Sequence, residues 1–188
     1  MPSSKYSYIP NVMQAIEACP RKMKILDVGS GFGKYGVLCR EYIDLIPSWC
    51  ELGINRFKDK NWGIRIDSVE PTEMYITPLY GYIYDNVYRA KIEDIVDSLS
   101  GYDIVLFIGV IEHLAELTAK TVIKKLQSKS KSIIIVTPNG YKEQEADWDN
   151  PLETHRSGWD INSLQSLGFN CSLISQNTKI LGSWQSGK

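Results

Sequence analysis

The sequence has few cysteines and histidines, no excess of either charge and no long apolar run, and each lack excludes a class of protein. Its 188 residues hold four cysteines and two histidines. None of Cys19, Cys39, Cys50 and Cys171 falls in a C-x-x-C pair, so no zinc module is expected and no metal site is assigned. The cysteines read as reduced, small packing residues. No stretch of about 18 apolar residues is present to cross a bilayer. The opening Met1-Pro2-Ser3-Ser4-Lys5-Tyr6 lacks the apolar core of a secretory signal. A cytoplasmic protein without membrane contact is expected. Lys and Arg number 21 against 22 Asp and Glu, which leaves no basic field to attract nucleic acid. Nothing in the sequence fixes the oligomeric state.

What is present fits one domain over 1–188. Chains of roughly this length bury about 70% of the surface that the unfolded chain exposes. With 43% hydrophobic and 23% charged residues the composition is that of an ordered globule. No repeat, low-complexity tract or Pro/Gly/Ser-rich linker divides it.

Short apolar runs alternate with helical patterns. Strands are expected at Lys24–Val28, Ile64–Val69, Tyr102–Ile108 and Ser132–Val136, with a weaker one at Val87–Arg89. The unbroken apolar run at Tyr102–Ile108 suggests a strand buried on both faces. Helical spacing recurs over 33–46, from Ile111 to Leu126, and at Glu93–Leu99, with a leading helix at Asn11–Cys19. Asp160 suits the N-cap of a short helix ending near Gly168. Two β-prone stretches, Asn170–Ser175 and Lys179–Trp184, close the chain. Strands alternating with helices give an α/β fold: a mostly parallel sheet with helices on both faces, and an antiparallel edge near the C-terminus.

The most informative segment is Asp27-Val28-Gly29-Ser30-Gly31-Phe32-Gly33-Lys34, between a strand and a helix. Glycines at alternate positions let the backbone turn tightly and meet a ligand without Cβ clashes. The segment fails the P-loop pattern, because the spacing is wrong and Tyr35 follows the lysine. A dinucleotide fingerprint fits poorly: started at Gly29, its third glycine falls on Lys34, and reading Gly31, Gly33 and Gly36 starts too far past the strand.

Asp27-x-Gly29-x-Gly31-x-Gly33 resembles the first motif of class I S-adenosylmethionine-dependent methyltransferases. Further segments continue the likeness in order over about residues 20–175. Glu70, after the second strand, is similar to the acid that holds the ribose hydroxyls in that family. Val110-Ile111-Glu112-His113-Leu114 resembles the V-x-E-H-L segment of small-molecule methyltransferases. Thr137-Pro138-Asn139-Gly140 resembles the loop after the fifth strand, and His155–Trp159 the lid before the next helix. Two positions depart from the pattern, since Lys91 and Gly109 stand where relatives often carry Asp.

The resemblance implies a Rossmann-like, doubly wound sheet of seven strands, S-adenosyl-L-methionine as cofactor, and transfer of a methyl group to an O or N atom of a small-molecule or glycan-like acceptor. It implies cofactor contacts from Asp27, Gly29, Ser30, Gly31, Gly33, Glu70, Ile92, Glu93, Ile108 and Gly109. Ile92 and Glu93 take up the adenine contact that Lys91 leaves open. His113 and His155 are the neutral-pH bases available for an acceptor proton. It further implies a helical lead over 1–22, an insertion at 47–62 and a lid at 138–159, flanked by Trp148 and Trp159. The tyrosines of 75–84 read as half-buried packing or as faces for an acceptor. A binding module without turnover and an NAD-dependent oxidoreductase are the alternatives.

Overall fold

The computed structural model describes residues 4–45, 61–146 and 149–187. Seven strands form one sheet. They are β1 (Lys24–Val28), β2 (Arg65–Val69), β3 (Asn86–Tyr88), β4 (Tyr102–Ile108), β5 (Ser130–Pro138), β6 (Asn170–Ile174) and β7 (Lys179–Gln185). Their order across the sheet is β3-β2-β1-β4-β5-β7-β6. The first five pair in parallel, and β7 pairs antiparallel with both β5 and β6. The C-terminal hairpin thus supplies the expected antiparallel pairing. The reversed strand is the last but one, with β6 outside it.

Alternate residues of the central strands feed two apolar layers, which is what a period of two requires of a sheet covered on both faces. Leu26, Val105, Phe107, Ile133 and Ile135 pack with Ala119, Val122, Ile123 and Leu126. Ile25, Ile104, Leu106, Ile134 and Val136 turn the other way, onto Val12, Ile16 and Cys39. Every residue of β4 is therefore buried. The covering helices include α1 (Ile9–Glu17) and α2 (Lys34–Cys39) on one face, and α5 (Glu116–Lys129) and α6 (Ile161–Gln165) on the other. Between them in sequence lie two short helices, α3 (Tyr80–Ile83) and α4 (Ile92–Ile95). Asp160 caps α6 in a reciprocal capping box with Ser163, and Gly168 follows at φ +86°.

Two helices differ from the sequence pattern. The helix expected over 33–46 is α-helical only as α2, then widens into π-type turns over Arg40–Leu45. There the buried Arg40 guanidinium donates to Asp44, Asp85 and the Ile64 and Ile83 carbonyls. The apolar periodicity carries no trace of this inward-facing charge. The stripe from Ile111 breaks into a 3-10 turn, Ile111–His113, before α5 begins at Glu116. Of the expected insertion at 47–62, only Asn61 and Trp62 are among the described residues. No described helix is long and apolar enough to cross a membrane.

Candidate functional site

Parallel strands deliver their following loops to one edge of the sheet, where ligand crevices form. Here the loops after β1, β2, β4 and β5 surround a cavity of about 520 Å³. The loop after β1 has Gly29, Gly31 and Gly33 at φ +62°, +55° and +85°, in the left-handed region that glycine enters without strain. Gly29 is also crowded, since a Cβ there would lie 2.5 Å from Val110 Cγ2, which would have to move. Its amide donates to the Val69 carbonyl (2.8 Å), which ties the loop to β2.

Two tyrosines of α3 and its C-terminal end hold this loop. The Tyr80 hydroxyl donates to the Gly31 carbonyl. Its single proton being used, it accepts from Ser30 Oγ at 2.8 Å, and Ser30 in turn accepts from Ser68 Oγ at 2.6 Å. The Tyr84 hydroxyl donates to Asp27 Oδ2 at 2.7 Å. Asp27 is 2% exposed. Burial, with the nearby negative charge of Glu70 adding to it, pushes the Asp27 carboxyl up to about 7.

Glu70, at the end of β2, is 4% exposed. Its Oε2 accepts from the Gly31 amide and its Oε1 from the Thr72 amide, both at 2.9 Å. Burial raises its pKa despite these amides, which favour the ionised form. The Thr72 side chain bonds this carboxylate as well, and the acceptor capacity that remains is left for a ligand. Asp27, Glu70 and Glu112 all line the cavity, so its floor suits a ligand carrying positive charge.

The histidines and Glu112 come from two loops. Glu112 and His113 sit in the 3-10 turn after β4, and His155 in the segment after β5. The Arg156 and Ser157 amides donate to the Glu112 carbonyl at 2.7 and 3.1 Å, clamping the two loops together. The imidazoles meet edge to face with centroids 4.9 Å apart. His155 is held neutral chiefly by burial, which lowers its pKa. From the segment after β5, Pro138, Lys142, Gln144, Leu152, Glu153 and Arg156 also line the cavity; Asn150 donates to Thr72 Oγ1 and the Tyr75 hydroxyl, and Tyr75 donates to Glu153. Ser4, Lys5 and Tyr8 of the N-terminal lead form another wall.

Of the expected site residues, the cavity brings together Asp27, Gly29, Ser30, Gly31, Glu70, Ile92, Glu93, Ile108, Gly109, His113 and His155. Gly33 stands apart. It is the N-cap of α2, with its Cβ direction toward Ile83 Cδ1 and Tyr84. Lys91 does line the cavity, directly before α4. Trp159 is 1% exposed and sits in the core under α6, donating to Ser157 Oγ, so it offers no face to an acceptor. Trp148 lies outside the described residues. The sequence reading missed the roles of Tyr80, Tyr84, Glu112 and the N-terminal lead; the tyrosine-dense stretch 75–84 was the available signal.

No family model matches the sequence, and no curated protein matches it. Solved structures do. The N-terminal domain of EvdMO1, crystallised with SAH bound, superposes with a TM-score of 0.66 at 15% identity, covering 96% of this chain and 82% of that one. A second crystal structure of that domain, obtained in the presence of SAH and D-fucose, gives 0.65 at 16%, covering 97% and 84%. A SAM-dependent methyltransferase from Archaeoglobus fulgidus gives 0.56 at 22%, covering 86% of this chain and 66% of that one. The chain has the Rossmann-like fold of these structures.

Proposed function

We propose that the protein is an S-adenosylmethionine-dependent methyltransferase acting on an oxygen or nitrogen atom of a small-molecule or glycan-like acceptor. One observation carries the reading: a buried acid at the end of β2, Glu70, bonded to the Gly31 amide across a glycine loop, beside a cavity of about 520 Å³. That volume lies within the roughly 300–1,000 Å³ common for cofactor sites. Three features of the cavity suit this cofactor. A carboxylate with free lone pairs suits two ribose hydroxyls. A glycine loop with backbone at positive φ lining the cavity suits close approach. Buried carboxylates at Asp27 and Glu70 suit a ligand with cationic centres. The likeness to domains crystallised with SAH supports the same reading.

When bound, S-adenosylmethionine supplies a methyl group already activated for displacement. The chain's residues then chiefly position donor and acceptor, an effect worth roughly 7–11 kcal/mol in well-oriented systems. Gly29, Ser30 and Gly31 hold the amino-acid end, with Asp27 beneath them. Glu70 accepts from the ribose hydroxyls, and Ile92, Glu93 and Ile108 flank the adenine, with Gly109 leaving room beside them. His113 and His155 face the acceptor, and a neutral imidazole there takes the proton that a hydroxyl or amine must lose. The 138–159 segment and the N-terminal lead exclude water. The EvdMO1 crystals obtained in the presence of D-fucose support a sugar-like acceptor.

Calorimetry with S-adenosylhomocysteine and NAD tests the reading. The first should bind and the second should not; NAD binding with no heat from the homocysteine ligand would overturn it. Turnover of labelled methyl against an acceptor library then separates an enzyme from a binding module.

A further inference from the structure

We propose that Glu112, His113 and His155 form a site for one divalent first-row transition-metal ion, such as Zn²⁺, Mn²⁺ or Co²⁺, at the acceptor end of the cavity. The inference rests on these three side chains and takes from the methyl-transfer reading only which end of the cavity meets the acceptor. With an ion held by both imidazoles, neither would be free to take the acceptor proton, and the ion would instead lower the pKa of a bound hydroxyl. One donor atom from each residue lies within 4.8 Å of the other two. Metal–ligand bonds of about 2.0–2.2 Å set such donors about 3–3.5 Å apart, so closing onto an ion asks for donor shifts of about 1 Å. The clamp from Arg156 and Ser157 to the Glu112 carbonyl already fixes the two loops in register.

The histidine tautomers point the same way. His113 Nδ1 lies 3.2 Å from the Thr154 carbonyl, and His155 Nδ1 pairs with the Lys142 carbonyl at 2.5 Å. A carbonyl only accepts, so each Nδ1 carries the proton and each Nε2 keeps its lone pair. A ring N–H donated to a backbone carbonyl is how metal-binding histidines are oriented. Among the described residues, neither Nε2 has a hydrogen-bond partner. Both histidines line the cavity.

Glu112 completes the set. It is 3% exposed, and its Oε2 accepts from Thr137 Oγ1 at 3.1 Å. Its Oε1 faces the space left by Gly109, where even a Cβ would lie 3.9 Å away. Among the described residues no Lys or Arg pairs with it, although a buried carboxylate calls for a counter-charge. Lys179 also lines the cavity and is the cation nearest in effect, acting on Glu112 through space without an ion-pair contact. Two imidazoles and a carboxylate suit transition ions, whereas Mg²⁺ and Ca²⁺ prefer all-oxygen shells. Three protein ligands leave coordination positions open toward the cavity, where an acceptor oxygen would fit.

The test is titration of the cofactor-free full chain with Co²⁺, read by its visible absorption and by calorimetry. One Co²⁺ should bind per chain and be displaced by Zn²⁺, with Mg²⁺ unable to displace it. His113→Asn, His155→Asn and Glu112→Gln should each weaken binding by about tenfold or more, the scale of losses at metal sites. Thermal melts report which variants fold; should Glu112→Gln fail, the histidine variants decide. Glu70→Ala should keep Co²⁺ affinity while weakening S-adenosylhomocysteine, and His155→Asn should weaken Co²⁺ while keeping S-adenosylhomocysteine. Absence of Co²⁺ binding, or binding undiminished in both histidine variants, would overturn the site. Either result leaves the cofactor reading to its own assay.

Discussion

Replacing Asp27 by Asn should make the protein more stable at pH 8 and a poorer binder of its cofactor. Asp27 is 2% exposed, receives one hydroxyl from Tyr84, and faces the negative field of Glu70. Its pKa rises from 3.8 to about 7. The native state therefore holds this proton more tightly than the unfolded chain does. Stability is lost as pH rises from about 4 to about 7 and is flat above that. At about 1.36 kcal/mol per pH unit, the ionised carboxylate costs at most about 4 kcal/mol. Asn keeps the shape and an oxygen for Tyr84 without the charge. Urea unfolding at pH 4, 6 and 8 should show the variant near wild type at pH 4 and increasingly more stable above it. An equal difference at pH 4 and pH 8, or a variant weaker at pH 8, would refute the reasoning. The same carboxylate attracts a cationic ligand, so S-adenosylmethionine affinity should fall below pH 7 in the wild type and show a flatter profile in Asp27→Asn. Stability given up for a charged site is a common trade.

Glu70→Ala should weaken S-adenosylhomocysteine binding by about 1.5–3 kcal/mol, the scale of charged hydrogen bonds; an unchanged dissociation constant in a folded variant removes Glu70 from the site. Gly29→Ala should cost roughly 1–2 kcal/mol for its left-handed backbone and about 1–3 kcal/mol more for overlap with Val110. Denaturation of the double variant with Val110→Ala should recover the second part only, and a purely additive cycle would contradict the 2.5 Å contact. His113→Asn should lower the transfer rate on the true acceptor while leaving cofactor affinity nearly intact, and full rates in both it and His155→Asn would reduce catalysis to positioning. Arg40→Leu should cost about 3–5 kcal/mol in urea unfolding, because it removes a buried guanidinium bonded to Asp44, Asp85 and two carbonyls; a loss below about 1 kcal/mol would show that other contacts carry that corner.

The sheet was readable because its signals are local. Strand runs such as Tyr102–Ile108 are apolar throughout, and a strand buried on both faces is what such a run means. Asp160 and Gly168 mark helix ends through chemistry that acts over three or four residues. The misreadings came where distant partners decide. Nothing in the spacing from 33 to 46 announces π-type turns, because their centre is Arg40, bonded to carbonyls of Ile64 and Ile83 far along the chain. Trp159, placed by the sequence only as a flank of the expected lid, packs in the core with residues of α6 and the sheet.

The same division runs through the site. The alternate glycines and Glu70 are recognisable because a backbone that must take φ near +60° and an acid that ends a strand leave marks at fixed spacing. What holds them in place leaves no such mark. Tyr80 and Tyr84 resemble packing residues, and most tyrosines at such spacing are; only the folded chain turns their hydroxyls onto Gly31 and Asp27. Gly36 shows how a residue passes from one reading to another. As sequence it was the last glycine of a forced dinucleotide fingerprint. In the fold a Cβ at 36 would lie 2.6 Å from Ile83 Cγ2 and from the Tyr84 ring and hydroxyl. Its missing side chain is what lets Tyr84 reach Asp27, and its backbone also acts on that carboxyl, so the glycine serves the site through Asp27 and its tyrosine partner.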